Sequence, residues 1–138
     1  MNTTEQECIL VVDANPLFLE RLARELRARN FDVVATESGT QAFHLLRDWR
    51  RPIDWLFSRA ILPGLIDGWI LADEYHDSHP HRAVVIAASQ AKVSAQGHII
   101  LKDPSPTAVL ATMRGIMAQS QSSEISNHTL RDKEQLAA

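Results

Sequence analysis

The chain has 138 residues, 45% of them hydrophobic and 22% charged, with a formal net charge of −3. Such a composition suits a globular domain with a core of useful size, and the charge argues against a nucleic-acid surface built on bulk positive charge. Cys8 is the only cysteine, which excludes an internal disulfide and an all-cysteine metal site. No run of about 18 apolar residues occurs. The opening Met-Asn-Thr-Thr-Glu-Gln-Glu also lacks a basic region followed by an apolar core, so a cytoplasmic location without membrane contact is the expectation.

In chain order, Cys8 to Val12 is a short strand-like run closed by Asp13. Asn15-Pro16 supplies a cap and a first-turn proline, and Leu19, Leu22, Ala23 and Leu26 then form a helical stripe. Phe31 to Thr36 reads as a second strand. Ser38-Gly39-Thr40 opens a second helix, with Ala42, Phe43, Leu46 and Trp49 expected inward. Ile53 to Ser58 is the third strand, of the length expected for a buried parallel one. It feeds a loop through Leu62-Pro63-Gly64 into a helix from Gly68 to His76, and Arg59 stands just past the strand. In open α/β sheets, chemistry collects at that position.

His76 to His81 reads as a turn, Ala83 to Ala88 as a fourth strand with Ser89 at its end, and Ile99 to Leu101 as a fifth strand ended by Lys102. Ser105-Pro106 repeats the cap-plus-proline signal ahead of Val109, Leu110, Met113, Ile116 and Met117. From Gln119 the composition turns polar, so residues 119–138 are expected to be a mostly disordered tail with a transient helix over Leu130 to Leu136. The alternation predicts a parallel sheet with helices on both faces and right-handed crossovers. Gln90 to His98 is shorter than the roughly 10–12 residues a crossover with its helix requires, so the helix there is expected to be truncated or absent.

These residues resemble a response-regulator receiver domain over about residues 7–118. The resemblance is carried by Ile9 to Asp13, by Ser38-Gly39 followed by Ala42, and by Leu62-Pro63-Gly64 with Asp67-Gly68. Ser89 and Lys102, followed after one extra residue by Pro104, complete it. It implies a flavodoxin-like, five-stranded parallel sheet of order 2-1-3-4-5, with residues 1–118 as the domain. It also implies that Asp13, Arg59, Ser89 and Lys102 converge at the carboxyl edge of the sheet.

The chain departs from that family where its chemistry resides. The position of the family's phosphoacceptor aspartate falls on Arg59, and the second acid of the first strand falls on Ala14. Asp13 is the remaining acid, and Mg²⁺ is ordinarily held by one or two carboxylates plus waters and substrate phosphates. The resemblance therefore implies Mg²⁺ binding that is lost or weak, no cofactor and no catalysis. The loop between Pro63 and Gly68 carries one residue more than the family pattern. Asp13 and Arg59 are expected to form a charge-assisted hydrogen bond, bidentate in its fullest form.

Three roles stay open for Arg59: a structural partner for Asp13, a fixed mimic of an activated state, and an anchor for an anion. Asp13 as a relocated phosphoacceptor is a further alternative. The His76/His79/His81 cluster admits a metal reading and a solvated-turn reading, of which the second is the ordinary one. Cys8 reads as a small buried hydrophobe, and Trp49, Trp55 and Trp69 as core or interface. The arginines of the first helix, Arg21, Arg24, Arg27 and Arg29, read as a solvated face laced with Glu20 and Glu25. The implied function is that of a stand-alone, atypical receiver acting as a phosphorylation-independent interaction module in two-component signalling. Its partner would be a histidine kinase, another regulator or a second copy, and not nucleic acid. An anion or metabolite sensor using Arg59 and Lys102, and a receiver phosphorylated at a displaced aspartate, are the alternatives.

Overall fold

A computed structural model of the chain describes residues 6–90 and 97–120. Strand β1 (Cys8–Val12) pairs in parallel with β2 (Asp32–Thr36) on one side and β3 (Trp55–Arg59) on the other. Strand β4 (Val85–Ala88) follows β3, and β5 (Ile99–Lys102) closes the sheet, giving the order β2-β1-β3-β4-β5. Every residue of β1 and of β4 is buried. Apolar side chains on both pleats explain why these strands read as unbroken hydrophobic runs.

Helices cover both faces. Helix α1 (Pro16–Ala28) and helix α4 (106–120) pack on the side lined by Ile9, Val11, Trp55, Phe57, Val85 and Ala87. Helices α2 (Gly39–Arg47) and α3 (Gly68–Ser78) cover Leu10, Val12, Leu56, Val84 and Ile86 on the other. The residues 91–96 between β4 and β5 lie outside the described residues, and the expected shortened helix falls there. Residues 121–138, with the expected tail and its Leu130 to Leu136 helix, also lie outside them.

Local signals set the helix ends. The Asn15 side chain accepts from the N–H groups of Leu17 and Phe18 at 3.0 and 3.3 Å, with Pro16 in the first turn. At the other end Asn30 adopts φ 70°, Phe31 N–H donates to the Leu26 carbonyl, and Asn30 N–H donates to that of Arg27. This is the paired reversal that closes a helix through a left-handed residue. Ser38, Asp67 and Ser105 cap the other three helices from their side chains.

Several boundaries differ from the sequence reading, and three have a physical reason. Helix α2 stops at Arg47, so Trp49 lies beyond it and is 86% exposed instead of packed inward. The 3.6-residue spacing extrapolates the stripe past the point where Asp48 turns extended. Strand β3 begins at Trp55 because Asp54 is engaged otherwise: its carboxylate accepts from Cys8 N–H, and its carbonyl accepts from the Tyr75 hydroxyl and from Arg82. Helix α3 runs through His76 to Ser78, residues expected in a turn, and ends at His79. A residue before proline is pushed out of the helical region, and Pro80 follows.

The loop joining β3 to α3 is clamped at two glycines. A Cβ on Gly39 would lie 2.0 Å from the Ile66 carbonyl oxygen, and one on Gly68 would lie 2.2 Å from the Arg59 carbonyl oxygen. Both neighbours are backbone, so neither yields cheaply. Gly68→Ala should therefore lower stability by about 1–3 kcal/mol, the usual range for overpacking. Urea denaturation should show this as a lower midpoint at unchanged slope.

Candidate functional site

The site lies at the carboxyl ends of β1 and β3. Asp13 follows β1 directly, is 2% exposed, and donates its own N–H to the Thr36 carbonyl. Arg59 is the last residue of β3, two residues beyond buried Phe57. Side chains alternate along a strand, so Arg59 shares the α1 side with Phe57. There its guanidinium lies 4.8 Å from the centre of the Phe18 ring, and Phe18 in turn stacks on Phe57 with ring centres 6.0 Å apart.

From that position Arg59 reaches Asp13. Its Nε and Nη2 donate to Asp13 Oδ2 at 3.0 and 2.6 Å, and the other oxygen, Oδ1, accepts from Asn15 N–H at 2.9 Å. Both guanidinium bonds converge on one oxygen, so the contact is a two-donor fork onto a single atom. The fork-on-fork geometry would engage both oxygens. The Asp13 side chain is 3% exposed and that of Arg59 is 23% exposed. The carboxylate is thus held by one fixed cation and one backbone donor.

Among the described residues, the other predicted site residues make no hydrogen bond or ion pair with these two side chains. Ala14 is exposed and offers no side-chain oxygen ligand. Ser89 follows β4 and Lys102 ends β5 opposite Ala88, and both are exposed. Among the described residues neither side chain makes a hydrogen bond or ion pair. Ala88 belongs to the cluster beneath α2 and α3, and alternation puts its neighbour Lys102 on that side, away from Arg59. The extra residue between Lys102 and Pro104 is Asp103, whose φ of 40° and N–H bond to the Ala88 carbonyl turn the chain there.

The donor set does not fit a divalent metal. Both oxygens of Asp13 are already engaged, Ala14 has no carboxylate, and a guanidinium occupies the approach. Hard cations such as Mg²⁺ need several oxygen ligands in near-octahedral array. Among the described residues there is also no group of three or more His, Cys, Asp or Glu placed to hold a metal, the His76/His79/His81 cluster included.

Phe18 and Asn15 are the members of the site that sequence reasoning missed. Asn15 appears there only as a helix cap, although its N–H also orients Asp13. Phe18 falls one position ahead of the counted stripe, next to Leu19. The signal lay in combining the two: the cap at Asn15 fixes the register that sets Phe18 over the end of β3. Elsewhere, Glu20–Arg24 and Glu25–Arg29 pair along α1 at 2.8 and 3.1 Å, in keeping with a solvated face. Cys8 is buried, and burial pushes its thiol above the ordinary range.

No protein-family model and no curated protein matches the sequence, but many solved structures match the fold. A response regulator receiver protein from Sinorhizobium medicae WSM419 superposes with a TM-score of 0.74 at 22% identity, over 83% of this chain and 96% of that one. The signal receiver domain of an HD domain-containing protein from Pseudomonas fluorescens Pf-5 gives 0.70 at 24% identity, over 86% and 99%. The fold is that of a receiver domain. The receiver domain from hybrid histidine kinase CckA is similar as well, with a TM-score of 0.64 at 27% identity over 78% of this chain and 95% of that one. Sheet order and helix placement agree with the expected flavodoxin-like, CheY-like architecture, and four helices are described.

A buried carboxylate stripped of its partner is left as an uncompensated charge. Arg59→Ala should cost about 3 kcal/mol, the low end of the range for breaking a buried pair because the arginine keeps partial exposure. In a double-mutant cycle with Asp13→Asn, chemical denaturation should give a coupling of about 1–3 kcal/mol.

Proposed function

We propose that this chain is an atypical receiver domain that works as a phosphorylation-independent interaction module in two-component signal transduction. The observation that carries the reading is the Asp13–Arg59 pair, which fills the pocket with a permanent internal cation. An arginine has no carboxylate oxygen, so the position that aligns with a phosphoacceptor cannot form an aspartyl phosphate. The pair also ties β1 to β3 without any small molecule, which supports a scaffold in one conformation over a switch between two. Its partner in this reading is a signalling protein such as a histidine kinase or another regulator.

A second copy of the chain belongs to the same reading. Strand β5 ends the sheet with Ile99, Ile100 and Leu101 only partly covered among the described residues, which supports burial of that edge on association. The reading is cytoplasmic, without nucleic acid, cofactor or catalysis. No described helix is long and apolar enough to cross a membrane. The anion-sensor alternative has less support, because Nε and Nη2 of Arg59 are both committed to Asp13 and Lys102 is directed elsewhere.

Incubation with acetyl phosphate and Mg²⁺, or with beryllofluoride, tests the reading by intact mass and by ¹⁹F spectra. The wild-type chain and Arg59→Asp should stay unmodified. Arg59→Asp/Ala14→Asp, which restores a second carboxylate beside Asp13, should take up label. A wild-type chain that acquires an acyl phosphate from a histidine kinase overturns the proposal.

A further inference from the structure

At the amino ends of β4 and β5, far from Asp13, two histidines meet a fully buried backbone. Val84 precedes β4, is 0% exposed, and donates its N–H to His98 Nδ1 at 3.2 Å. Its carbonyl accepts from Ile99 N–H at 2.9 Å. Residues 98 and 99 therefore satisfy both polar groups of Val84, and water has no access to replace them. A ring nitrogen that accepts carries no proton, so His98 is neutral with its hydrogen on Nε2.

His76 of α3 abuts this ring edge-on, with centres 5.5 Å apart and planes at 88°. The His76 Nδ1 is itself buried and has no hydrogen bond among the described residues. We propose that His98, with His76 against it, is a proton-operated latch on the β4–β5 edge. A proton on His98 Nδ1 converts the acceptor into a donor and sets N–H against N–H. The Val84 amide then loses its partner, and the start of β5 releases from β4.

The groups that act on His98 include its burial, two side chains of α3 and the backbone of β4. Burial holds it below the ordinary histidine value of about 6.5, His76 adds to that, and Asp73 of α3 opposes it. From the β4 side it meets the Val84 backbone. The sign follows from linkage: the opened form binds the proton more readily than the latched form. The latch is closed above the ordinary histidine range, and opening grows as pH falls through it, by at most about tenfold per pH unit for one proton. His79 is also held low by burial and adds the same sign to whole-domain stability, so the readout must be local.

Amide exchange at Val84 and Ile99, corrected for intrinsic exchange, provides that readout between about pH 7.5 and pH 5. In the wild-type chain the opening constant should climb toward the tenfold-per-unit limit as His98 titrates. His98→Asn keeps an oxygen acceptor at the δ1 position without a titrating proton, and its opening should be flat with pH. His76→Asn should move the His98 titration midpoint upward. A flat wild-type profile, or an equal slope in His98→Asn, overturns the proposal. Should His98→Asn fail to fold, the wild-type spectrum still decides. The Val84 amide shift and the His98 ring proton must share one midpoint, and a Val84 amide indifferent to that titration refutes the latch. None of this rests on the role given to Arg59.

Discussion

A carboxylate sealed at the end of a central parallel strand must be neutralised, because removing an ion from water costs several kcal/mol even after relaxation. Here the neutralising charge is covalently part of the chain. Arg59 arrives at Asp13 by three converging constraints: the parity of β3, the Phe18 ring beneath the guanidinium, and the Asn15 N–H that turns the second oxygen away. A tethered cation has a fixed occupancy. It does not leave when an ion is depleted. The proposed scaffold role follows from that fixed occupancy, and the surrounding loop is closely packed. Gly39 and Gly68 let the β3–α3 connection sit directly on neighbouring backbone.

The two ends of the sheet are stabilised by different means. At the carboxyl end one ion pair joins β1 to β3. At the amino end a hydrogen-bonded group centres on Asp54. Its carboxylate holds the Cys8 amide, its carbonyl collects the Tyr75 hydroxyl and Arg82, and Arg82 lies over the Trp55 ring, whose Nε1 donates to Glu7. Burial raises the Tyr75 phenol to about 12, so this hydroxyl remains a donor throughout the range in which the protein is handled. Charged groups take part at this end as well, since the Asp54 and Glu7 carboxylates accept and the Arg82 guanidinium donates, whereas His98 beside it leaves the β4–β5 seam responsive to acid.

Much of the architecture was legible because the strands bury both pleats and so appear as plain apolar runs, while Asn15-Pro16 and Ser105-Pro106 mark helix starts chemically. The pairing of Asp13 with Arg59 was legible from charge and position. Its single-oxygen geometry was not, since that depends on where the Asn15 amide points. Trp49 was misplaced because periodicity carries no information about where the backbone leaves the helix. Lys102 illustrates a different gap. A resemblance assigns strand ends, but which side of the sheet a terminal side chain leaves from is settled by register and by one extra residue, Asp103.

The lone sulfur of the chain gains a use from its placement. Cys8 begins β1, between the two strands that flank it, and its thiol is sealed and hard to ionise. An alkylating reagent reaches it when the start of β1 is uncovered. The speed of covalent trapping thus reports how often that end of the central strand opens.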